Sequence, residues 1–339
     1  MSDAISIDVR RQGLTILTTE ACNFACHYCH QHHSPSRMGH DVAEAVSRFV
    51  ERRARHIDRL DITWFGGEPL ANLSAIVHLS NRFLRICSDN DIELTGFMST
   101  NGYLLTDRLL GTLVGLGISR YQVTFDGPAV VHDRVRVLRG GGNTFSRIWK
   151  NLRSFHATDH AFQILIRVQV TPDSLSQVAS FLADLRDEFS SDSRFKIMVI
   201  NVCHWGGPND SSIPLFVNPA PVLRSLGVIV GEMNVPADGE SCCEAANPTH
   251  LVVRPTGVIV KCAHSLDLAE NRIGHLAADG RVVYEPGTID FWIRGILNGD
   301  YGALRCPRQG FVPSTSPTPL VQVGIPARRR RDADGPVLV

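Results

Sequence analysis

Six short β-rich runs, 14–18, 61–65, 92–98, 121–125, 162–170 and 195–202, are separated by longer stretches, most with apolar residues at helical spacing. The helical patterns cover 41–57, 73–88, 106–116, 144–155 and 174–189, and Gly117 stands at the stop of the third. Strand-then-helix repetition demands a parallel sheet with helices outside it, and functional residues of that class gather beyond the carboxyl ends of the strands. The chain of 339 residues has room for such a barrel and an appendage. The expected fold class is therefore α/β.

The first strand runs directly into Cys22-Asn23-Phe24-Ala25-Cys26-His27-Tyr28-Cys29, a C-x-x-x-C-x-aromatic-C loop. With nine cysteines in the chain, a triad of this spacing arises by chance roughly 0.006 times per sequence. Three thiolates on one loop can hold three irons of a [4Fe–4S] cube and leave the fourth open to a small molecule. Zinc or a disulfide pair is the plainer alternative, with His27, His30, His32 or His33 as a fourth zinc ligand. Those four histidines otherwise read as a solvated His-rich loop. Lys+Arg and Asp+Glu balance at 34 each, which gives no electrostatic case for nucleic acid or a membrane surface. No apolar run is long enough to span a bilayer, and residues 1–8 lack a signal-peptide pattern, so a reducing cytoplasmic location is expected.

The cysteine loop resembles the signature of the radical S-adenosylmethionine (radical SAM) enzymes, and the resemblance extends over about residues 12 to 306. It implies a partial (β/α)₆ barrel. Cys22, Cys26 and Cys29 would hold the cluster, whose open iron chelates SAM. Reductive cleavage of SAM to a 5′-deoxyadenosyl radical would then abstract hydrogen from the substrate. Gly66-Gly67-Glu68-Pro69 matches the family's GGEP motif, which implies that backbone groups and the Glu68 side chain hold the SAM amino group. Ser99 and Asn101 look like the ribose- and carboxylate-contacting segment, and Thr124 stands at the serine position of the family's S-x-D-G element. Arg167 is expected near the SAM carboxylate and Tyr28 near adenine, while Gln169 replaces the family's usual asparagine. Asp126 and Asp210 are the candidate catalytic proton acceptors, and Cys203 ends the sixth strand at the barrel mouth.

Beyond about residue 235 the pattern changes to a hairpin, 251–254 and 258–262 around Pro255-Thr256-Gly257. The spacing Cys243-x₁₃-Gly257-x₄-Cys262 resembles the opening of a SPASM or twitch domain, where relatives bind auxiliary clusters; a small zinc site is the alternative. Cys242 or Cys243, with Cys262 and Cys306, offers at most a partial ligand set, so an incomplete auxiliary Fe–S cluster is expected. The expected division is a barrel over 1–235, a curtailed SPASM/twitch-like domain over 236–306, and an irregular tail over 307–339 with six prolines and the run Arg328-Arg329-Arg330-Arg331. The tail reads as the product of a shifted reading frame, since 320–332 can be back-translated so that another frame yields a cysteine-bearing segment. The 21 residues before the triad are too few for a separate leader-binding domain.

The resemblance implies an oxidoreductase that modifies a peptide or protein, as in maturation of a ribosomal peptide, fed by ferredoxin or flavodoxin. A formylglycine-generating sulfatase maturase and a catalytically inactive, cluster-bearing peptide-binding protein are the alternatives.

Overall fold

A computed structural model describes residues 7–171, 173–201 and 242–308. Asp210, Cys203, the boundary near 235 and the tail from 309 onward, arginine run included, lie outside the described residues. The strand–helix alternation is realised as β1 (Arg11–Thr19), α1 (His40–Arg53), β2 (Arg59–Gly66), α2 (Leu73–Asp89), β3 (Glu93–Thr100), α3 (Asp107–Gly115) and β4 (Ile118–Phe125). It continues through α4 (Ala129–Val135), α5 (Phe145–Ser154), β5 (Gln163–Val170), α6 (Leu175–Phe189) and β6 (Phe195–Asn201). The six strands pair in parallel in chain order, as a partial barrel requires.

Alternation along β2 shows how sequence divides inside from outside. Leu60, Ile62 and Trp64 are buried, while Asp61, Thr63 and Phe65 line the barrel's cavity. Trp64 stacks on Phe83 of α2, with ring centroids 6.4 Å apart. Each such fully buried aliphatic or aromatic side chain contributes roughly 1.5–3 kcal/mol relative to exposure. The stop of α3 follows its sequence: Thr106 caps its start by accepting from the Leu109 N–H at 3.3 Å, and Gly117, at φ +80°, leaves the helix behind. Helix α4 was not expected, because its seven residues are too few to display a helical period.

The hairpin forms as β7 (His250–Val253) and β8 (Val258–Val260), joined by a turn with Gly257 at φ +81°. It is followed by β9 (Arg272–Leu276), β10 (Val282–Tyr284), α7 (Thr288–Asn298) and α8 (Tyr301–Arg305). The hairpin does not stand apart from the barrel. β7 pairs in parallel with β1, from Gly13↔His250 to Ile16↔Val253, giving one ten-stranded sheet in the order β10-β9-β8-β7-β1-β2-β3-β4-β5-β6. β1 is thus flanked on both edges, and every residue of it after Arg11 is buried.

Two contacts hold this junction. The His250 ring lies against Gly13, where a Cβ would meet Nδ1 at 2.4 Å, and Nε2 lies 3.0 Å from Thr15 Oγ1. Lys261, 1% exposed, donates from Nζ to the carbonyls of Asn247 and His250, each at 2.6 Å. Burial pushes its ammonium down to about 7. Among the described residues no helix is long and apolar enough to cross a membrane.

Candidate functional site

The carboxyl ends of β1 to β5 open on a cavity of about 560 Å³. Cys22, Cys26 and Cys29 line it, on the loop between β1 and α1. That loop is held from two sides. On the first, β2 ends at Gly66 and Gly67: the Gly67 N–H donates to the Thr19 carbonyl at 3.2 Å and the Glu68 N–H to the Ala21 carbonyl at 3.0 Å. Approach this close needs glycine, since a Cβ on Gly67 would lie 2.5 Å from the Ala21 oxygen and 2.6 Å from the Glu20 oxygen. On the second, the segment after α4 straps the loop through backbone bonds. The N–H groups of Ala25 and His27 donate to the carbonyls of Val137 and Val135, and that of Arg139 to Asn23, at 2.8–3.0 Å.

Burial governs the protonation of all three thiols. It pushes Cys22 up to about 12, with Glu68 adding to the rise, and Cys26 up to about 11 against the pull of Arg136; Cys29 is raised as well. Thiols held this way bind metal with release of protons. A tetrahedral zinc site would gather its sulfurs to about 3.8 Å from one another. Among the described residues, however, the only trio of such ligand atoms all within 4.8 Å is His40, Glu44 and His78, outside this loop. Three thiols on one loop, more widely set and facing a cavity, fit an iron–sulfur cube.

The GGEP carboxylate takes a different place from the one implied by its motif. Glu68 is 0% exposed: Oε1 accepts from the Leu70 N–H at 3.1 Å and Thr100 Oγ1 at 2.7 Å, and Oε2 from the Asn101 N–H at 2.8 Å. It staples the end of β2 to the end of β3, and only Gly66 and Gly67 of the motif line the cavity. Burial raises its pKa, against those donors. Pro69 is buried behind it, its carbonyl accepting from Thr18 Oγ1 at 3.2 Å.

Ser99, Asn101, Thr124 and Arg167 all line the same cavity, and Thr124 and Arg167 are register partners across β4 and β5. Asn101 is braced, donating from Nδ2 to Asn23 Oδ1 at 2.7 Å and accepting the Tyr103 N–H at 3.0 Å. Tyr28 also lines the cavity, but its hydroxyl is engaged behind it, donating to Asp126 Oδ2 at 2.9 Å while Arg136 Nη1 donates to it at 2.7 Å. Asp126 itself is 4% exposed and is not among the lining residues. Burial pushes its carboxyl up to about 6, opposed by Arg136, which lies 3.7 Å away, by the Tyr28 hydroxyl and by Arg167. Its geometry makes it a support for Tyr28.

Arg136 is the residue that reading the sequence missed. It is 8% exposed, reaches the cavity, and sits 5.7 Å from the centroid of the Phe24 ring inside the cysteine loop. The alternation Val135-Arg136-Val137 was the available signal of a strap laid along another segment. Its turn is closed by a buried relay: the Asp126 N–H donates to His132 Nδ1 at 3.4 Å, Nε2 lies 3.1 Å from Thr144 Oγ1, and that hydroxyl donates to the Arg136 carbonyl at 2.7 Å.

The histidines are not uniformly solvated. His27 and His32 are exposed, but His33 Nε2 lies 3.3 Å from Cys29 Sγ and its Nδ1 3.2 Å from the Glu20 carbonyl, and His30 stacks on His264. Around the hairpin, Cys243, Cys262 and Cys306 come close enough for the latter two to raise the Cys243 thiol further than burial already does. Asn271, fully buried, accepts the Cys262 N–H at 2.8 Å and donates to the Cys262 carbonyl at 2.8 Å. Arg254 ties this region to the main site, its Nε donating to Glu20 Oε1 at 2.7 Å just ahead of the cysteines.

Residues 16–180 of this chain match the model of the radical SAM superfamily. Among curated proteins the chain is similar to the GTP 3′,8-cyclase of Rhodopirellula baltica, 32% identical over 120 residues, which are 34% of this chain and 32% of that protein. The matching stretch therefore spans about a third of that relative's length. Among solved structures, anSMEcpe with bound AdoMet and Cp18Cys peptide superposes with a TM-score of 0.61 at 18% identity, covering 86% of this chain and 87% of that one. Streptococcus suis SuiB bound to precursor peptide SuiA gives 0.54 at 16% identity, covering 87% and 67%.

Proposed function

We propose that the chain is a radical SAM enzyme that abstracts hydrogen from a peptide or protein substrate. The observation that carries this reading is the cysteine triad on one strapped loop at the mouth of the barrel cavity, faced by Ser99, Thr124 and Arg167. Cys22, Cys26 and Cys29 hold the cluster, and Gly66 and Gly67 offer backbone groups to the amino end of S-adenosylmethionine. When bound, the two cofactors together supply one-electron cleavage and a hydrogen-abstracting radical. The chain's own part is to orient and to exclude water. Arg167 offers a guanidinium to a carboxylate, and Tyr28, fixed by Arg136 and Asp126, presents a rigid ring to the cavity wall. A cavity of 560 Å³ suits a cofactor of this size with one substrate side chain beside it.

Peptide substrates are favoured because the two structural neighbours named above were both solved with peptides bound. The electron donor is a ferredoxin or flavodoxin and the compartment the cytoplasm. Cys243, Cys262 and Cys306 contribute to an auxiliary cluster.

The test is 5′-deoxyadenosine production from SAM by anaerobically reconstituted protein with dithionite, alongside Cys26→Ala. Release only with the native triad supports the enzyme. No release from a fully loaded protein sinks it in favour of a cluster-bearing binding protein. Iron above about four per chain that disappears in Cys262→Ala supports the auxiliary cluster.

A further inference from the structure

On the outer face of the barrel, away from the cavity, three metal-ligating side chains converge from two helices. His40 and Glu44 lie one turn apart at the start of α1, and His78 faces them from α2. A ring nitrogen of each histidine and a carboxylate oxygen of Glu44 all lie within 4.8 Å of one another. His78 Nε2 is already 2.8 Å from Glu44 Oε1, and the two imidazole rings stand 5.5 Å apart, tilted by 52°. We infer that His40, Glu44 and His78 form a binding site for one divalent ion of the zinc class, tying the exit of the cysteine loop to α2.

A zinc ion with nitrogen and oxygen ligands at 2.0–2.1 Å holds tetrahedral donors about 3.3 Å apart. Reaching that from the observed spacing needs the His78–Glu44 pair to open by about half an ångström and His40 to swing inward by at most about 1.5 Å. His40 is exposed, so its side chain has room for such a rotation, whereas Glu44 and His78 are half-buried on packed helices. Two imidazoles and one carboxylate make a borderline donor set suited to zinc, cobalt or nickel, and not an oxygen cage for calcium or magnesium. A water completes the coordination. The positive end of the α1 dipole opposes a cation here, and the Asp41 carboxylate, 3.9 Å from His40 Nδ1, offsets it. Arg82, the cation that acts on Glu44, is engaged by Glu51.

The position gives the ion a purpose. Gly39 ends the cysteine loop and His40 begins α1, so a metal at His40 fixes the point where the loop leaves the site. Arg37 already donates to the Ala71 carbonyl at 2.7 Å, joining the same loop exit to the turn before α2. The metal would add a second, reversible tie alongside it.

The experiment titrates the full-length protein, its cluster reconstituted anaerobically, with zinc against a chromophoric chelator. The expected result is a zinc bound by the native protein and lost from His40→Ala and His78→Ala. Each affinity should fall by more than the roughly 10–100-fold that losing an outer-sphere partner costs. Glu44→Gln should weaken it as well, and His78→Gln serves if the alanine variant fails to fold. Cobalt at the site should show d–d bands without thiolate-to-cobalt charge transfer. Variants that retain the zinc with native affinity overturn the inference, as does a cobalt spectrum whose only site is thiolate-ligated.

Discussion

Gly67→Ala is the sharpest probe of the site because its neighbours are backbone atoms that cannot rotate away. The added Cβ would meet Ala21 O at 2.5 Å, Ala21 C at 2.6 Å and Glu20 O at 2.6 Å. Ordinary contact begins at about 3.4 Å, so the cysteine loop or the end of β2 must move by roughly 0.9 Å. Overpacking of this kind costs about 1–3 kcal/mol, and disturbing the Gly67-to-Thr19 and Glu68-to-Ala21 backbone bonds adds about 0.5–1.5 kcal/mol for each. A total of roughly 2–6 kcal/mol is a large share of a typical stability of about 5–15 kcal/mol. The displaced atoms adjoin Cys22, and a misplacement near 1 Å is worth about 10²-fold in rate. Iron and sulfide content after anaerobic reconstitution, thermal unfolding and 5′-deoxyadenosine yield should therefore all fall. Gly140→Ala, where a Cβ meets nothing within 4 Å, is the control. A Gly67→Ala protein that loads iron, melts and turns over like this control would refute the close-approach argument.

Arg136→Met strands the buried Asp126 carboxylate and the Tyr28 hydroxyl, and should destabilise the fold by about 3–5 kcal/mol in a denaturant titration. An unchanged midpoint would show that Arg136 is dispensable. Burial, with Arg136 nearby, holds the His132 imidazole down to about 2, so the native state stays neutral where the unfolded chain takes a proton below about 6.5. Stability is then full above that value and falls as pH drops. Between pH 7.5 and 5.5 the native protein should lose about 1.4 kcal/mol more than His132→Asn, and equal slopes would remove His132 from the relay. Asp133 Oδ1 accepts the N–H groups of Thr144 and Phe145 at the start of α5, at 2.8 and 2.9 Å. Asp133→Ala should cost roughly 1 kcal/mol with iron content unchanged, and lost iron would mean that this cap also shapes the cysteine loop.

Much of the barrel was legible because its signals are local. Leu60 and Trp64, buried away from the cavity, alternate with Asp61, Thr63 and Phe65, which line it, and that period alone divides the outer face of the strand from the lumen. The cysteine spacing likewise sits within eight residues. What escaped depends on contacts between segments far apart in the chain. Arg136 acts through Tyr28, 108 residues earlier, and no local pattern announces that pair. Glu68 reads as a ligand by its motif, yet its carboxylate is taken by Thr100 and the Asn101 backbone at the end of the next strand. The hairpin was visible in Pro255-Thr256-Gly257, but its parallel pairing with β1 was not, since a three- or four-residue strand carries no mark of its partner.

That pairing has a consequence for biosynthesis. The Gln12 side chain donates to the Thr249 carbonyl, a partner 237 residues downstream. At 5–20 residues per second, a ribosome takes roughly 12–50 s to travel that distance. For that interval the nascent first strand has one unpaired edge, and Arg254 has not yet arrived to clamp Glu20 beside the cysteines. In that interval the cysteine loop has only the ties supplied by residues 66–68 and 135–139, and the Arg254–Glu20 tie is added after them.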